Sequence, residues 1–120
     1  MIDHAAVNVS DLEAGKQFYT QALEPLGYSL MFEVEEFLGY GDVGMPSFGV
    51  VRRDPVGGGH VAFHAPDRAT VDAFYEAAMA AGGADNGAPG LREHYHPTYY
   101  AAYVHDADGN NIEVVCHKPE

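Results

Sequence analysis

Tryptophan is absent from this 120-residue chain, cysteine occurs once, and only six side chains are basic. A lone Cys116 excludes an internal disulfide, so no covalent staple holds the fold, and a reducing cytoplasm is the expected location. Lys16, Arg52, Arg53, Arg68, Arg92 and Lys118 face 18 acids, for a net charge of −12. A nucleic-acid binder needs a positive footprint to displace counterions, and these residues do not supply one. An anionic membrane surface is disfavoured for the same reason. Apolar runs are a few residues long, against the ~20 needed to span a bilayer. The opening MIDHAAVNV has no basic n-region or cleavage site and does not read as a signal peptide. A small molecule or another protein is left as the class of partner. With 47 % apolar and 20 % charged residues the composition is that of a globular chain, and one domain over residues 1–120 is expected.

What the chain does have is an internal repeat. Slid by 56 positions, HAAVNVSDLEAGKQFYTQALEPLG from His4 falls on HVAFHAPDRATVDAFYEAAMAAGG from His60. Identities pair His4 with His60, Ala6 with Ala62, Asp11 with Asp67, Phe18 with Phe74, Tyr19 with Tyr75, Ala22 with Ala78 and Gly27 with Gly83. Both copies open with a histidine on a short alternating strand, followed by an amphipathic helix. The first helix is expected to start at Ser10 as N-cap, with Glu13 completing a capping box. Leu12, Gly15, Phe18, Tyr19, Ala22, Leu23 and Leu26 form its apolar stripe. The second takes Asp67 as N-cap, has Val71, Phe74, Tyr75, Ala78 and Met79 as its stripe, and stops at Gly82-Gly83.

After each helix the hydrophobic period falls to about two. YSLMFEVE, EFLGYGD and SFGVVRR read as three strands. In the second half ADNGAPGLREHYHP is loop-rich with room for one strand. YYAAYVHD then turns through Asp106-Ala107-Asp108-Gly109 into NNIEVVCH. The expected architecture is α+β: two tandem βαβββ units, the first about 1–53 and the second about 60–118, joined by the linker 54–59. The units would form a curved mixed sheet with helices on its outer face and a ligand cavity on its inner face. Gly57 to Gly59 belong to that linker and lack the Lys and helix of a phosphate loop. At an offset of 64, FGVVR lies on IEVVC, so Gly49 stands where the second copy carries Glu113.

Alternate strand residues share a face. Ala5, Val7 and Val9 point towards the first helix, and His4, Ala6 and Asn8 away from it. Val61, Phe63 and Ala65 likewise oppose His60, Ala62 and His64, and Ile112 and Val114 oppose Glu113. His4, His60 and Glu113 therefore share the face away from the helices, where two paired units would bring them together.

The doubled βαβββ pattern, a histidine opening each half and DADGNNIEVV near the end closely resemble the vicinal oxygen chelate superfamily. That group includes glyoxalase I, bleomycin-resistance proteins, extradiol dioxygenases and fosfomycin-resistance enzymes, and the resemblance spans essentially the whole chain. It implies one divalent metal ion held by His4, His60 and Glu113. Two imidazoles and a carboxylate form a facial set that suits Fe, Mn, Zn, Ni or Co and leaves positions open for substrate. The ion would hold neighbouring substrate oxygens and stabilise a developing enolate, alkoxide or catecholate, in a lyase, dioxygenase or transferase. Glyoxalase I has a fourth ligand where this chain has Gly49, so three ligands match the fosfomycin-resistance and extradiol patterns better. The bleomycin-binding members lack the metal, and a metal-free small-molecule binder is the alternative. The resemblance also implies a homodimer, in some relatives with the cavity shared between chains.

His94 or Tyr103 would assist proton transfer. Tyr103 shares a face with Tyr99 and is the preferred substrate-facing hydroxyl. Arg92 would bind a substrate anion, His64 lies on the face of His60, and His96 flanks Tyr95 in a polar loop. Residues 86–98 are expected to overhang the cavity, while Tyr19 and Tyr75 are expected to be core residues without chemistry.

Overall fold

The structure, a computed structural model, describes residues 1–119. The first unit consists of β1 (Ala5–Val9), α1 (Leu12–Ala22), a single 3-10 turn (Glu24–Leu26), β2 (Ser29–Val34), β3 (Phe37–Gly41) and β4 (Phe48–Arg52). The second consists of β5 (His60–His64), α2 (Arg68–Ala80), β6 (Ala84–Leu91), β7 (Tyr100–His105) and β8 (Asn111–Cys116). Each unit makes its own four-stranded sheet, in the orders β1-β4-β3-β2 and β5-β8-β7-β6. In both, the first and last strands are parallel and the other pairs antiparallel. This is the expected α+β architecture of two βαβββ units. β1 and β5 run close together, but no ladder joins the two sheets among the described residues.

Register confirms the equivalence inferred from the repeat. Ala6 pairs with Gly49 across β1 and β4, and Ala62 pairs with Glu113 across β5 and β8. The two alanines correspond in the repeat, so Gly49 and Glu113 occupy the same place in their units.

Helix α1 begins one residue later than its capping box suggested. Asp11 is the N-cap and accepts from the Ala14 amide, while the Ser10 amide donates to Asp108 of the second unit. A carboxylate is the stronger acceptor at this position, and Ser10 is left to tie the units together. In α2 the cap is Asp67, as expected, accepting from both the amide and the hydroxyl of Thr70. Gly15, Phe18, Tyr19 and Ala22 are the buried face of α1, and Val71, Phe74 and Ala78 that of α2.

One apolar core runs through both units. Phe63 of β5 packs edge-on against Phe48 of β4 at 5.1 Å between ring centres and against Tyr28 at 5.6 Å. Beneath it lies a polar node. Asp106 is buried and accepts from the Tyr19 hydroxyl at 2.5 Å, from the Asp108 and Asn110 amides, and from the Asn110 side chain. Asn110 also donates to the Asn8 carbonyl and accepts from the Gly59 amide. The β7–β8 turn thus clamps β1, α1 and the linker, satisfying every lone pair that burial would otherwise leave costly. Gly57 completes the clamp: its φ is +80° and a Cβ there would lie 2.5 Å from the Asp108 carbonyl oxygen.

The segment read as loop-rich, 84–91, is strand β6, and its shape explains the misleading composition. Two register shifts interrupt its pairing with β7, and Gly87 has φ +149°. Glycines in a strand mark such bulges. Residues 86–91 of the expected overhang therefore belong to a sheet edge, and only the turn that follows is irregular. Among the described residues no helix is long and apolar enough to cross a membrane.

Candidate active site

The face of the second unit turned away from α2 gathers most of the candidate residues. Glu113 sits mid-strand in β8 and is only 2 % exposed. A lone carboxylate there would cost several kcal/mol in lost hydration, roughly, and two partners offset it. The His60 ring nitrogen Nε2 lies 3.0 Å from Oε1, and the Tyr99 hydroxyl donates to Oε2. The partners come from either side of β8: β5 pairs with it in parallel and carries His60, and β7 pairs with it antiparallel just after Tyr99. Unlike Glu113, the His60 side chain is 53 % exposed, so the ring presents its other edge to solvent.

Burial and the adjacent Glu113 carboxylate both raise the pKa of the Tyr99 hydroxyl, which stays a donor at neutral pH. Tyr103, directly opposite Glu113 in the ladder, is raised too, by burial first and by the Glu113 charge second. Sequence reasoning favoured Tyr103 and passed over Tyr99, although both were placed on one face. The ladder decides between them, because it sets Tyr103 beside Glu113 while the chain entering β7 lets the Tyr99 ring reach over its carboxylate.

Around this centre stands an aromatic wall. His117 lies nearly parallel to His64 at 6.2 Å and meets His96 at 5.7 Å and Tyr99 at 5.3 Å, both edge-on. The His96 Nδ1 is engaged by the amide and hydroxyl of Thr98, and that hydroxyl also reaches the His117 carbonyl. His117 was missed as a wall residue; it follows the β8 alternation from Glu113 and Val115, which was the signal available.

Arg92, His94 and Tyr103 meet elsewhere, lining one hollow of about 320 Å³ with Tyr95, Asn86 and Asn111. There the Arg92 guanidinium donates to the carbonyls of Ala88 and Gly90 and lies 5.2 Å from the centre of the Tyr103 ring. Its hydrogen bonds hold the bulged β6 edge. His94 packs on Tyr95 at 4.2 Å between ring centres.

His4 stands apart from these residues. Its Nδ1 is 2.7 Å from Asp3, and both side chains are largely exposed on the first unit. Among the described residues no three His, Cys, Asp or Glu side chains come together closely enough to hold a metal ion. One chain therefore brings two of the three expected donors together, His60 and Glu113, and leaves His4 on a different surface. The pair suits a divalent ion in chemistry and falls one donor short in number.

Gly49 shows why the first unit has no acidic counterpart. A Cβ at this position would lie 2.7 Å from Cε1 of Phe37, so the phenylalanine ring already fills the place a side chain would take.

The profile of the Glyoxalase/Bleomycin resistance protein/Dioxygenase superfamily matches residues 1–114. A glyoxalase/bleomycin resistance protein from Albidiferax ferrireducens superposes with a TM-score of 0.86 at 31 % identity, over 97 % of this chain and 98 % of that one. A lactoylglutathione lyase from Agrobacterium tumefaciens, 21 % identical, shares the fold at a TM-score of 0.71 over 97 % of this chain and 92 % of its own. A glyoxalase/bleomycin resistance protein/dioxygenase family enzyme from Burkholderia phytofirmans, 18 % identical, does so at 0.74 over 97 % and 98 %. No curated protein sequence matches the chain. The matched profile, the doubled βαβββ fold and the 31 % identical relative agree, and the chain belongs to the Glyoxalase/Bleomycin resistance protein/Dioxygenase superfamily.

Proposed function

We propose that the protein is a metal-dependent enzyme that acts on a small substrate with neighbouring oxygens, working as a homodimer in which His60 and Glu113 of one copy and His4 of a second hold one divalent ion. The observation that carries this reading is Glu113: a carboxylate 2 % exposed in an apolar strand, with a half-exposed imidazole on one oxygen. Burial of that kind is expensive, and in the first unit the equivalent position is glycine. The missing third donor is the reason for the second copy, since His4 faces solvent on the other unit. When bound, the ion would polarise adjacent substrate oxygens as a Lewis acid.

The protein's own groups have separate tasks. Tyr99 fixes Oε2 of Glu113, and with it the carboxylate plane, leaving Oε1 directed at His60. Tyr103 presents a protonated hydroxyl beside the same carboxylate and is placed to donate to a substrate oxygen as charge develops there. The ring wall of His64, His96 and His117 encloses one side of the site and offers imidazole nitrogens for substrate contact. His94 and Arg92 line a neighbouring hollow suited to a polar end of the substrate.

The alternative is a metal-free small-molecule binder. What favours it is that both Glu113 oxygens already have partners within one chain, so the carboxylate is satisfied without an ion. Metal analysis of protein purified without chelator separates the two. The enzyme reading expects close to one ion per chain, lost in His60→Ala and in His4→Ala alike, together with a dimer in sedimentation. A chain that takes up no ion from any of the five metals overturns it and leaves the binder.

A further inference from the structure

Four asparagines occur in the chain, Asn8, Asn86, Asn110 and Asn111, and only Asn86 is followed by glycine. An asparagine side-chain amide is open to attack by the backbone nitrogen of the next residue. A side chain on that next residue hinders the approach, and glycine has none. Here the structure fixes the glycine. Gly87 has φ +149°, and a Cβ on it would lie 2.8 Å from the Tyr103 ring and 3.0 Å from the Arg92 guanidinium. Position 87 has no room for a side chain, so Asn86 keeps the least hindered of neighbours.

The backbone around this pair is set apart from the ladder. Asp85 pairs with Val104 and Gly87 with Tyr103, so Asn86 is the extra residue of a bulge and has no cross-strand partner. The residue is exposed, and its amide donates to the Asn111 side chain at 3.2 Å. The Gly87 amide donates to Oδ1 of Asp85 at 2.9 Å, and the Tyr75 hydroxyl donates to the same oxygen at 3.0 Å. A carboxylate within hydrogen-bond reach of the nitrogen that must lose its proton is a base already in place.

We propose that Asn86 is a self-modification site, converted to aspartate and isoaspartate by attack of the Gly87 nitrogen with Asp85 as the base. The nitrogen bonds to Cγ of Asn86 while Asp85 takes its proton. That proton passes to Nδ2, the Cγ–Nδ2 bond breaks and ammonia leaves, closing a five-membered succinimide. Water then opens the ring. Attack at Cγ restores the ordinary backbone and leaves aspartate, whereas attack at the backbone carbonyl leaves isoaspartate. Water replaces ammonia overall, and nothing is oxidised or reduced. The new carboxylate stands in the hollow that Asn86 shares with Arg92, His94 and Tyr103. It offsets the Arg92 charge there and makes the hollow a poorer host for an anion. Isoaspartate also lengthens the backbone by one methylene, at a bulge that already carries an extra residue. The modification depends neither on a metal nor on the enzyme reading.

The test is to hold the folded full chain in mildly alkaline water enriched in heavy oxygen and to map its peptides by mass spectrometry. Asn86 is expected to convert at least about tenfold faster than Asn8, Asn110 or Asn111, taking up one heavy oxygen, with isoaspartate the larger product. Asp85→Asn keeps an acceptor for the Gly87 amide but removes the base, and is expected to slow conversion at Asn86 about threefold or more. Urea midpoints measured beforehand show that both chains are folded during the incubation. Conversion of Asn86 no faster than that of the other three overturns the proposal, since the fold then shields the pair. Aspartate as the sole product overturns it too, because direct hydrolysis forms no ring. An undiminished rate in Asp85→Asn does the same for the base.

Discussion

Tyr99 donates its hydroxyl to Oε2 of Glu113, on the carboxylate whose other oxygen faces His60 at 3.0 Å. The phenol and the imidazole come from opposite neighbours of β8, so the centre exists only when all three strands are in register. Tyr99→Phe keeps the ring and removes the donor. We expect a loss of about 1–3 kcal/mol of stability in urea denaturation, the cost of leaving a buried acceptor unpaired. In Glu113→Gln the same phenylalanine substitution should cost less, because an amide is a weaker acceptor. Equal costs in the two backgrounds would mean that the carboxylate's charge adds nothing to the hydrogen bond.

Tyr19 is fully buried, and burial followed by the nearby Asp106 carboxylate pushes its hydroxyl far above the ordinary tyrosine range. A group whose folded pKa is raised contributes stability that is present below its unfolded pKa and is lost at higher pH. Stability should therefore hold up to about pH 10, the unfolded tyrosine value, and fall beyond it. Tyr99 contributes in the same direction. Urea midpoints measured from pH 8 to 11 check this, and the decline should be shallower in Tyr19→Phe, whose stability at pH 8 is lower by about 1–3 kcal/mol.

Gly49→Glu would restore to the first unit the acid its repeat partner has. Phe37 stands in the way, with Cε1 2.7 Å from the new Cβ. We expect a destabilisation of about 1–3 kcal/mol from overpacking. Phe37→Ala in the same chain should recover part of it, since the obstructing ring is gone. Thermal melting of the two single variants and the double variant measures the coupling.

Arg92→Ala removes the donors to Ala88 and Gly90. Strand β6 is a bulged sheet edge, so the amides of Ala88, Gly90 and Leu91 should exchange with deuterium about tenfold faster or more, while those of β8 are unchanged. A uniform increase across the sheet would assign Arg92 to global stability instead.

Much of this molecule is readable from the chain. The repeat exposes the βαβββ pattern because equivalent positions must pack against equivalent neighbours, and Ala6/Ala62 with Gly49/Glu113 prove to be true ladder partners. Caps are readable when the chemistry is local, as at Asp67. At Ser10 a long-range partner, Asp108, intervenes, and the start of α1 moves to Asp11. Strand β6 was hidden because its glycines serve bulges and read as loop.

The sequence by itself determined the units, their helical and strand faces, and the side on which His4, His60 and Glu113 lie, since periodicity assigns each residue to a face. Only the tertiary structure decided which of those residues meet. His60 reaches Glu113 across one parallel ladder, and Tyr99 reaches it from the entry to β7. His4 remains with Asp3 on the other sheet. A face is a local property of the backbone, whereas convergence depends on how two sheets are set against each other by the buried contacts of Phe63, Tyr19 and Asp106.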